Sequence, residues 1–269
     1  MQTTEPWSAR QARRLMEQAL LGPEPSRFFE QLRQRQALSP WFQEVQDLIG
    51  VPQSPVHHAE GDVWTHTMMV LDQAARMRTR SENPLGFMLG ALTHDFGKTI
   101  CTQEIQGRIC SYEHERKGLP LVERFLQRLQ YRPEQCVYVL ELVCYHMLPN
   151  AMASQNASVK ATNRLFDKVS DPQTLIALAA ADGLGKRSTL PFVSYDSFLL
   201  ERLELYRECL ERPAVTREEL AAVLPPQADL DQCMAFAHKL MLAGVPRAEV
   251  LTQTVGQSRS GNIPLGTNE

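Results

Sequence analysis

The run NPLGFMLGALTHD, residues 83–95, is apolar around its whole helical circumference and ends on two polar side chains, His94 and Asp95. A helix without a polar face cannot lie at a surface, so other elements must wrap it. This segment is therefore expected at the centre of the fold. A histidine and a carboxylate buried there without partners would be costly. A metal ion would compensate them, because neutral imidazole and carboxylate are both good ligands.

Nearly every other periodic segment also repeats at the helical interval. SARQARRLMEQALLG offers Ser8 as an N-cap and stops at Gly22-Pro23. SRFFEQLRQRQAL and SPWFQEVQDLIG follow, and DVWTHTMMVLDQAARMR comes after a proline-punctuated loop, Val51 to Gly61. Further helical patterns run through YEHERKGLPLVERFLQRL, PEQCVYVLELVCYHM, NRLFDKVSDPQTLIALAAADG and SYDSFLLERLELYRECLE. Shorter ones follow Pro213. With no internal repeat and no strand ladder, the expected class is all-α. The expected parts are an N-terminal helical region (1–50), a main helical domain (51–212), a C-terminal helical extension (213–253) and a disordered tail (254–269).

A formal charge of −3 over 269 residues argues against a broad nucleic-acid footprint. Six cysteines lie far apart with no C-x-x-C pair, which points to reduced thiols and a cytoplasmic location. No stretch reads as long and apolar enough for a bilayer, and the first residues lack a signal-peptide core. Arg10, Arg13 and Arg14 imitate a transit peptide, but Glu5 and Glu17 oppose that reading. No membrane partner is expected.

Six candidate ligands sit at helix ends or on helix faces: His66, His94, Asp95, His114, His146 and Asp182. Each has an ordinary role as a cap or a hydrogen-bonded side chain. Asp182 is less ordinary, because an acid near a helix C-terminus opposes the macrodipole and favours a cation nearby. His238, in AFAHKLM, has no partners in the pattern and is assigned to packing.

The order H…HD…H…H…D on an all-α chain resembles the HD-domain superfamily of metal-dependent phosphohydrolases. HDFGK matches its H-D-x-G-K form, in which Gly97 would allow a tight helix exit. Lys98 then offers a point charge for phosphate. The segments from PWFQEVQDLIG through WTHTMMVLDQAA, GRICSYEHERKG and ALAAADGLGK resemble the HD domain of bacterial CCA-adding tRNA nucleotidyltransferases. Two departures stand out. Glu113 replaces the glycine usual before the histidine and is expected to crowd a second metal or add an acid to it. Lys186 and Arg187 stand where one arginine is more common. No G-G-x-x-R-D or D-x-D head motif precedes the region, so CCA addition is not expected.

The resemblance implies a helical HD bundle with extra terminal helices, and one or two divalent ions. His66, His94, Asp95 and Asp182 would hold the first, with Mn, Fe, Co, Ni or Zn favoured over Mg alone. Such an ion would lower the pKa of bound water toward roughly 7 for attack on phosphorus. His114 and His146 would hold a second ion, bridged by Asp95, or bind phosphate and protonate the leaving oxygen. Lys98, Lys186 and Arg187 would neutralise phosphoryl charge. His58 and Glu60 resemble an H-P-E segment, and would line the site mouth or orient a ligand. The expected activity is phosphodiester or phosphomonoester hydrolysis of a nucleotide, a 2′,3′-cyclic nucleotide, an RNA end or a related ester. The alternative is an RNA- or protein-binding module without catalysis, which metal analysis would distinguish. HDFGK lacks the H-D-x-x-E-D form of (p)ppGpp hydrolases, and no G-Y-P of cyclic di-GMP phosphodiesterases follows.

Overall fold

The computed structural model describes residues 7–189, 191, 193–211, 215–226 and 228–259. In order the elements are α1 (Ala9–Leu20), α2 (Ser26–Gln34), α3 (Gln43–Gln46), α4 (Val63–Arg76), α5 (Pro84–Thr93), α6 (Lys98–Cys101), β1 (Gln103–Ile105) and β2 (Arg108–Cys110). Then come α7 (His114–Lys117), α8 (Leu119–Arg128), α9 (Pro133–Tyr145), α10 (Leu148–Ser154), α11 (Val159–Phe166) and α12 (Pro172–Leu184). The chain closes with α13 (Asp196–Glu211), α14 (Arg217–Val223), α15 (Leu230–Leu242) and α16 (Arg247–Arg259). The fold is all-α apart from one small hairpin.

Two compact units emerge, and their limits do not follow the boundaries expected from sequence. The first combines residues 1–151 with 169–197, and the second combines 152–168 with 198–269. In the first, α5 is central. Asn83 caps it by accepting from the Gly86 amide at 2.9 Å, and Pro84 supplies a preset first turn. Every residue from Gly86 to Thr93 is buried, and α4, α9 and α12 pack around the helix. Each large apolar side chain enclosed this way contributes about 1.5–3 kcal/mol.

The N-terminal helices belong to this same unit and are not a separate region. Ser26 Oγ donates to Asp72 Oδ2 at 2.7 Å, and Trp64 Nε1 donates to Glu30 Oε1 at 2.8 Å. Polar bonds between sequence-distant helices are invisible to a boundary drawn on local composition.

The hairpin corrects the expectation of no strand pairing. β1 and β2 run antiparallel, with Gln103 opposite Cys110 and Ile105 opposite Arg108. Gln106 and Gly107 turn between them at φ 52° and 74°, the backbone that two-residue hairpin turns require. Three-residue strands are too short to show an alternating pattern. Pro133–Ser154 forms a second correction. These 22 residues, spanning α9 and α10, contain an 18-residue window with a mean hydropathy of 1.2, long and apolar enough to cross a bilayer. Val139, Leu142 and Val143 instead bury against the core, and the stretch contains His146.

The second unit has its own core of Val215, Leu220, Cys233, Ala237, Met241 and Val250, drawn from α14, α15, α16 and the residue leading in. His238 is not a packing residue there: its Nε2 lies 3.1 Å from Asp167 Oδ1, and its side chain is 38% exposed. α16 continues to Arg259, so residues 254–259 of the expected disordered tail are helical. The remainder of that tail lies outside the described residues. All six cysteines are unbridged.

Candidate metal centre

Six side chains from five elements converge inside the first unit. His66 projects from α4, whose N-cap Asp62 accepts from the Thr65 amide at 2.9 Å. His94 and Asp95 follow the C-terminus of α5, His114 opens α7, His146 follows α9, and Asp182 lies in the last turn of α12. His66, His94, Asp95 and His146 are 2% exposed or less, and His114 is 6% exposed.

Three of these imidazoles are fixed alike. Nδ1 of His94 lies 2.9 Å from Ala91 O, that of His114 2.9 Å from Ser111 O, and that of His146 2.7 Å from Val143 O. Each carbonyl belongs to the residue three positions earlier. A carbonyl can only accept, so Nδ1 carries the proton and Nε2 of the neutral ring keeps its lone pair. For His66 a carboxylate plays that part: Glu60 Oε1 lies 3.2 Å from Nδ1.

The freed Nε2 atoms face one another. His66 and His94 bring theirs within 3.3 Å, and His114 and His146 within 3.4 Å. Two lone pairs cannot hydrogen-bond to each other, and a shared cation resolves both pairs. Around His66 and His94 stand Asp182 Oδ1, 3.1 Å from His66 Nε2, and Asp95 Oδ2, 3.5 Å from His66 Nε2 and 3.2 Å from His94 Nε2. Donors about 2.1 Å from one ion, at tetrahedral or octahedral angles, stand about 3.0–3.4 Å apart. The residues therefore fit a divalent ion. Asp95 Oδ1 points the other way, 3.2 Å from His114 Nε2, so one carboxylate faces both imidazole pairs.

The charges agree with this grouping. Burial pushes the Asp95 carboxyl up, but His94 and Lys98 outweigh it and hold the group well below the usual carboxylate range. Asp182 is lowered likewise, chiefly by His66 acting against burial. Burial lowers His66, while Asp182 and Glu60 outweigh it and raise the group to about 9. His146 lacks such support: burial, with the charges of His94 and His114, lowers it to about 3. Burial also opposes His114, but Asp95 raises it.

Two glycine contacts bring His114 to Asp95. A Cβ on Gly97 would fall 2.0 Å from His114 O, and one on Gly118 2.6 Å from Gly97 N. Gly97 itself is helical at φ −63°, so close approach is the reason for glycine there, not a tight exit from the helix. Gly185 does the same for Asp182, since a Cβ would meet Val70 on α4 at 2.5 Å. Glu113, expected to crowd the second pair, turns outward: its side chain is 62% exposed and meets Lys117 at 3.0 Å. Its backbone is left-handed at φ 61°, which is why glycine is favoured at that position.

Lys98 Nζ lies 2.8 Å from Asp95 Oδ2 and donates to Gln53 Oε1 at 2.8 Å. Gln53 carries no sequence signal. His58 and Glu60 stand beside His66: Glu60 Oε1 meets His58 Nδ1 at 2.8 Å, and Oε2 accepts from the Arg187 amide at 2.8 Å. Burial raises Glu60, but contacts from His66 and the Arg187 amide lower it to about 2. Burial and the charge of His66 lower His58 to about 4. Arg187 thus reaches the centre through its backbone. Arg187 and Lys186 also line a neighbouring pocket.

Residues 63–185 match the family model described as HD domain. The matched stretch contains His66, His94, Asp95, His114, His146 and Asp182 and is similar to that family. His94 and Asp95 lie inside the matched residues, at the hub of the buried cluster. The chain is also similar to curated proteins named Multifunctional CCA protein. The one from Cupriavidus metallidurans is 30% identical over 234 residues, 86% of this chain and 53% of the relative. That of Methylococcus capsulatus is 43% identical over 112 residues, 42% of this chain and 25% of the relative. That of Actinobacillus pleuropneumoniae serotype 5b is 35% identical over 129 residues, 48% and 31% respectively. The chain spans about half, or less, of the length of these relatives.

Proposed function

We propose that the protein is a divalent-metal-dependent phosphohydrolase acting on a nucleotide, a 2′,3′-cyclic nucleotide or a related phosphate ester, including an RNA end. The observation that carries this reading is the pair of Nε2–Nε2 approaches at 3.3 and 3.4 Å on either side of Asp95. An RNA- or protein-binding module without chemistry would have no use for four imidazoles held with lone pairs inward.

When bound, a divalent ion supplies Lewis acidity and an activated water for in-line attack on phosphorus, and the ligand set suits Mn, Fe, Co, Ni or Zn better than Mg alone. His66, His94, Asp95 and Asp182 would hold it. Asp95, His114 and His146 would form a second, weaker ion position, or bind the phosphate and give a proton to the leaving oxygen. Lys98, poised against Asp95, neutralises charge growing on the phosphoryl oxygens. Glu60 orients His66 from behind. Six unbridged thiols fit a reducing cytoplasm.

The test is elemental analysis of purified protein, followed by a screen of phosphomonoesters, phosphodiesters and 2′,3′-cyclic nucleotides with each of the five ions. Metal retention together with ion-dependent release of phosphate or monoester is expected. Protein that takes up no ion and hydrolyses none of these esters would leave the binding-module reading standing.

A further inference from the structure

A cavity of about 530 Å³ opens beside the candidate metal centre, in the same compact unit, and the ligand set does not use it. Gly183, adjacent in the chain to Asp182, lines it, as does Asn150, whose Nδ2 donates to Ala179 O at 2.8 Å on α12. Its volume lies in the range of small-molecule sites. The chemistry of the wall is one-sided: Lys186, Arg187 and His57 are basic, and none of the described lining residues is acidic.

Neither Lys186, half-buried, nor Arg187, exposed, takes part in a salt bridge among the described residues. The Glu60 carboxylate, which accepts from the Arg187 amide, is spent on that amide, His66 and His58. That amide bond also fixes where the Lys186–Arg187 segment runs. Tyr195, Pro191 and Val193 add an apolar wall to the basic one. Lys98 meanwhile stands on a different element, against Asp95. The site thus has two separate cationic positions, one at the ligand carboxylate and one beyond Asp182.

Building on the hydrolase reading above, we infer that this cavity binds a second anionic group of the substrate. The preferred substrate is then a nucleoside carrying a further phosphate beside the ester that reacts, and not a lone phosphomonoester. The same chemistry is presented by a free nucleoside bisphosphate and by the last nucleotide of a polynucleotide, whose linking phosphate is the second anion.

The test is calorimetric titration of the metal-loaded full chain with adenosine 3′-monophosphate and with adenosine 3′,5′-bisphosphate. The bisphosphate is expected to bind about tenfold more tightly, and that ratio should fall to about one in Lys186→Ala/Arg187→Ala. The alanine change at Arg187 keeps the backbone amide that holds Glu60. A diadenosine ligand with a 3′-phosphate separates the two sources: affinity above that of the bisphosphate identifies a polynucleotide end, and affinity below it a free nucleotide. Equal affinity for mono- and bisphosphate in the unmodified chain, or a preference that survives the double substitution, overturns the inference. Because the readout is binding, failure of hydrolysis alone would remove the catalytic reading and leave the anion pocket to be judged on the affinity ratio.

Discussion

The two imidazole pairs flanking Asp95 share one geometry but differ in what stands behind them. His66 and His94 face Asp182 as well as Asp95, and Glu60 backs His66. In the second pair His114 Nε2 meets the other oxygen of Asp95, and backbone carbonyls hold both rings. Carboxylates add charge to a cation site and carbonyls add only orientation, so on the proposed reading the first pair would be the stronger ion position. The second is suited to an ion of lower affinity, or to an anion recruited by the first. A single shared carboxylate makes the two positions interdependent.

Asp95→Asn attacks that shared point and has the largest expected effect. The amide keeps the volume, removes the charge seen by both pairs and offers one weaker donor. Metal content should fall on both sides, and hydrolysis should drop by about 10³-fold or more, with circular dichroism unchanged. A folded variant retaining both metal and rate would show that neither pair is a metal site. Lys98→Ala comes next. Metal stoichiometry should hold while turnover falls about 10²-fold, as for loss of one preorganised charge at a reacting phosphoryl. Parallel loss of metal and rate would instead mean that Lys98 supports Asp95.

Glu60→Gln sharpens the contrast between the pairs. A glutamine can still accept from one neighbour, but it no longer carries the charge that fixes the His66 tautomer while accepting from the Arg187 amide. Affinity at the first position should weaken about 10–100-fold. Competition titration with a chromophoric chelator reads it directly. Stepwise curves should show the tight phase shifting toward the weak one, and a shift of the weak phase alone would reverse the assignment of strength.

Much of this centre is legible in the sequence, and the reasons are local. An all-apolar helix ending in His94-Asp95 must be central, and the acid near the end of α12 points to a cation. The partners that hold the ligands are not legible. Ala91, Ser111 and Val143 contribute carbonyls, which every residue possesses, so only geometry reveals them. Gln53 reaches Lys98 across 45 positions. Gly97 was readable as important but for the wrong reason, since a close backbone approach and a tight turn select the same residue. The short hairpin and the grouping of the N-terminal helices with the core escaped because neither leaves a periodic signal.

Glu113→Gly tests the second pair with the smallest perturbation. Glu113 precedes His114 and holds a left-handed backbone at φ 61°, a conformation disfavoured for any residue with a Cβ. Its exposed carboxylate reaches Lys117 and touches no ligand. Replacement with glycine relieves the backbone and gives up one i,i+4 surface pair, which is the smaller contribution. The melting temperature should rise by about 2 °C. The tight ion position should keep its affinity, because nothing around His66 and Asp182 depends on this turn. Rate should change by less than about twofold if His114 is already well placed by Gly97 and Gly118. A marked gain in rate or in weak-phase affinity would show that the left-handed glutamate holds His114 away from its best position. The difference between the two pairs would then be partly one of strain, and not only of how many carboxylates surround each.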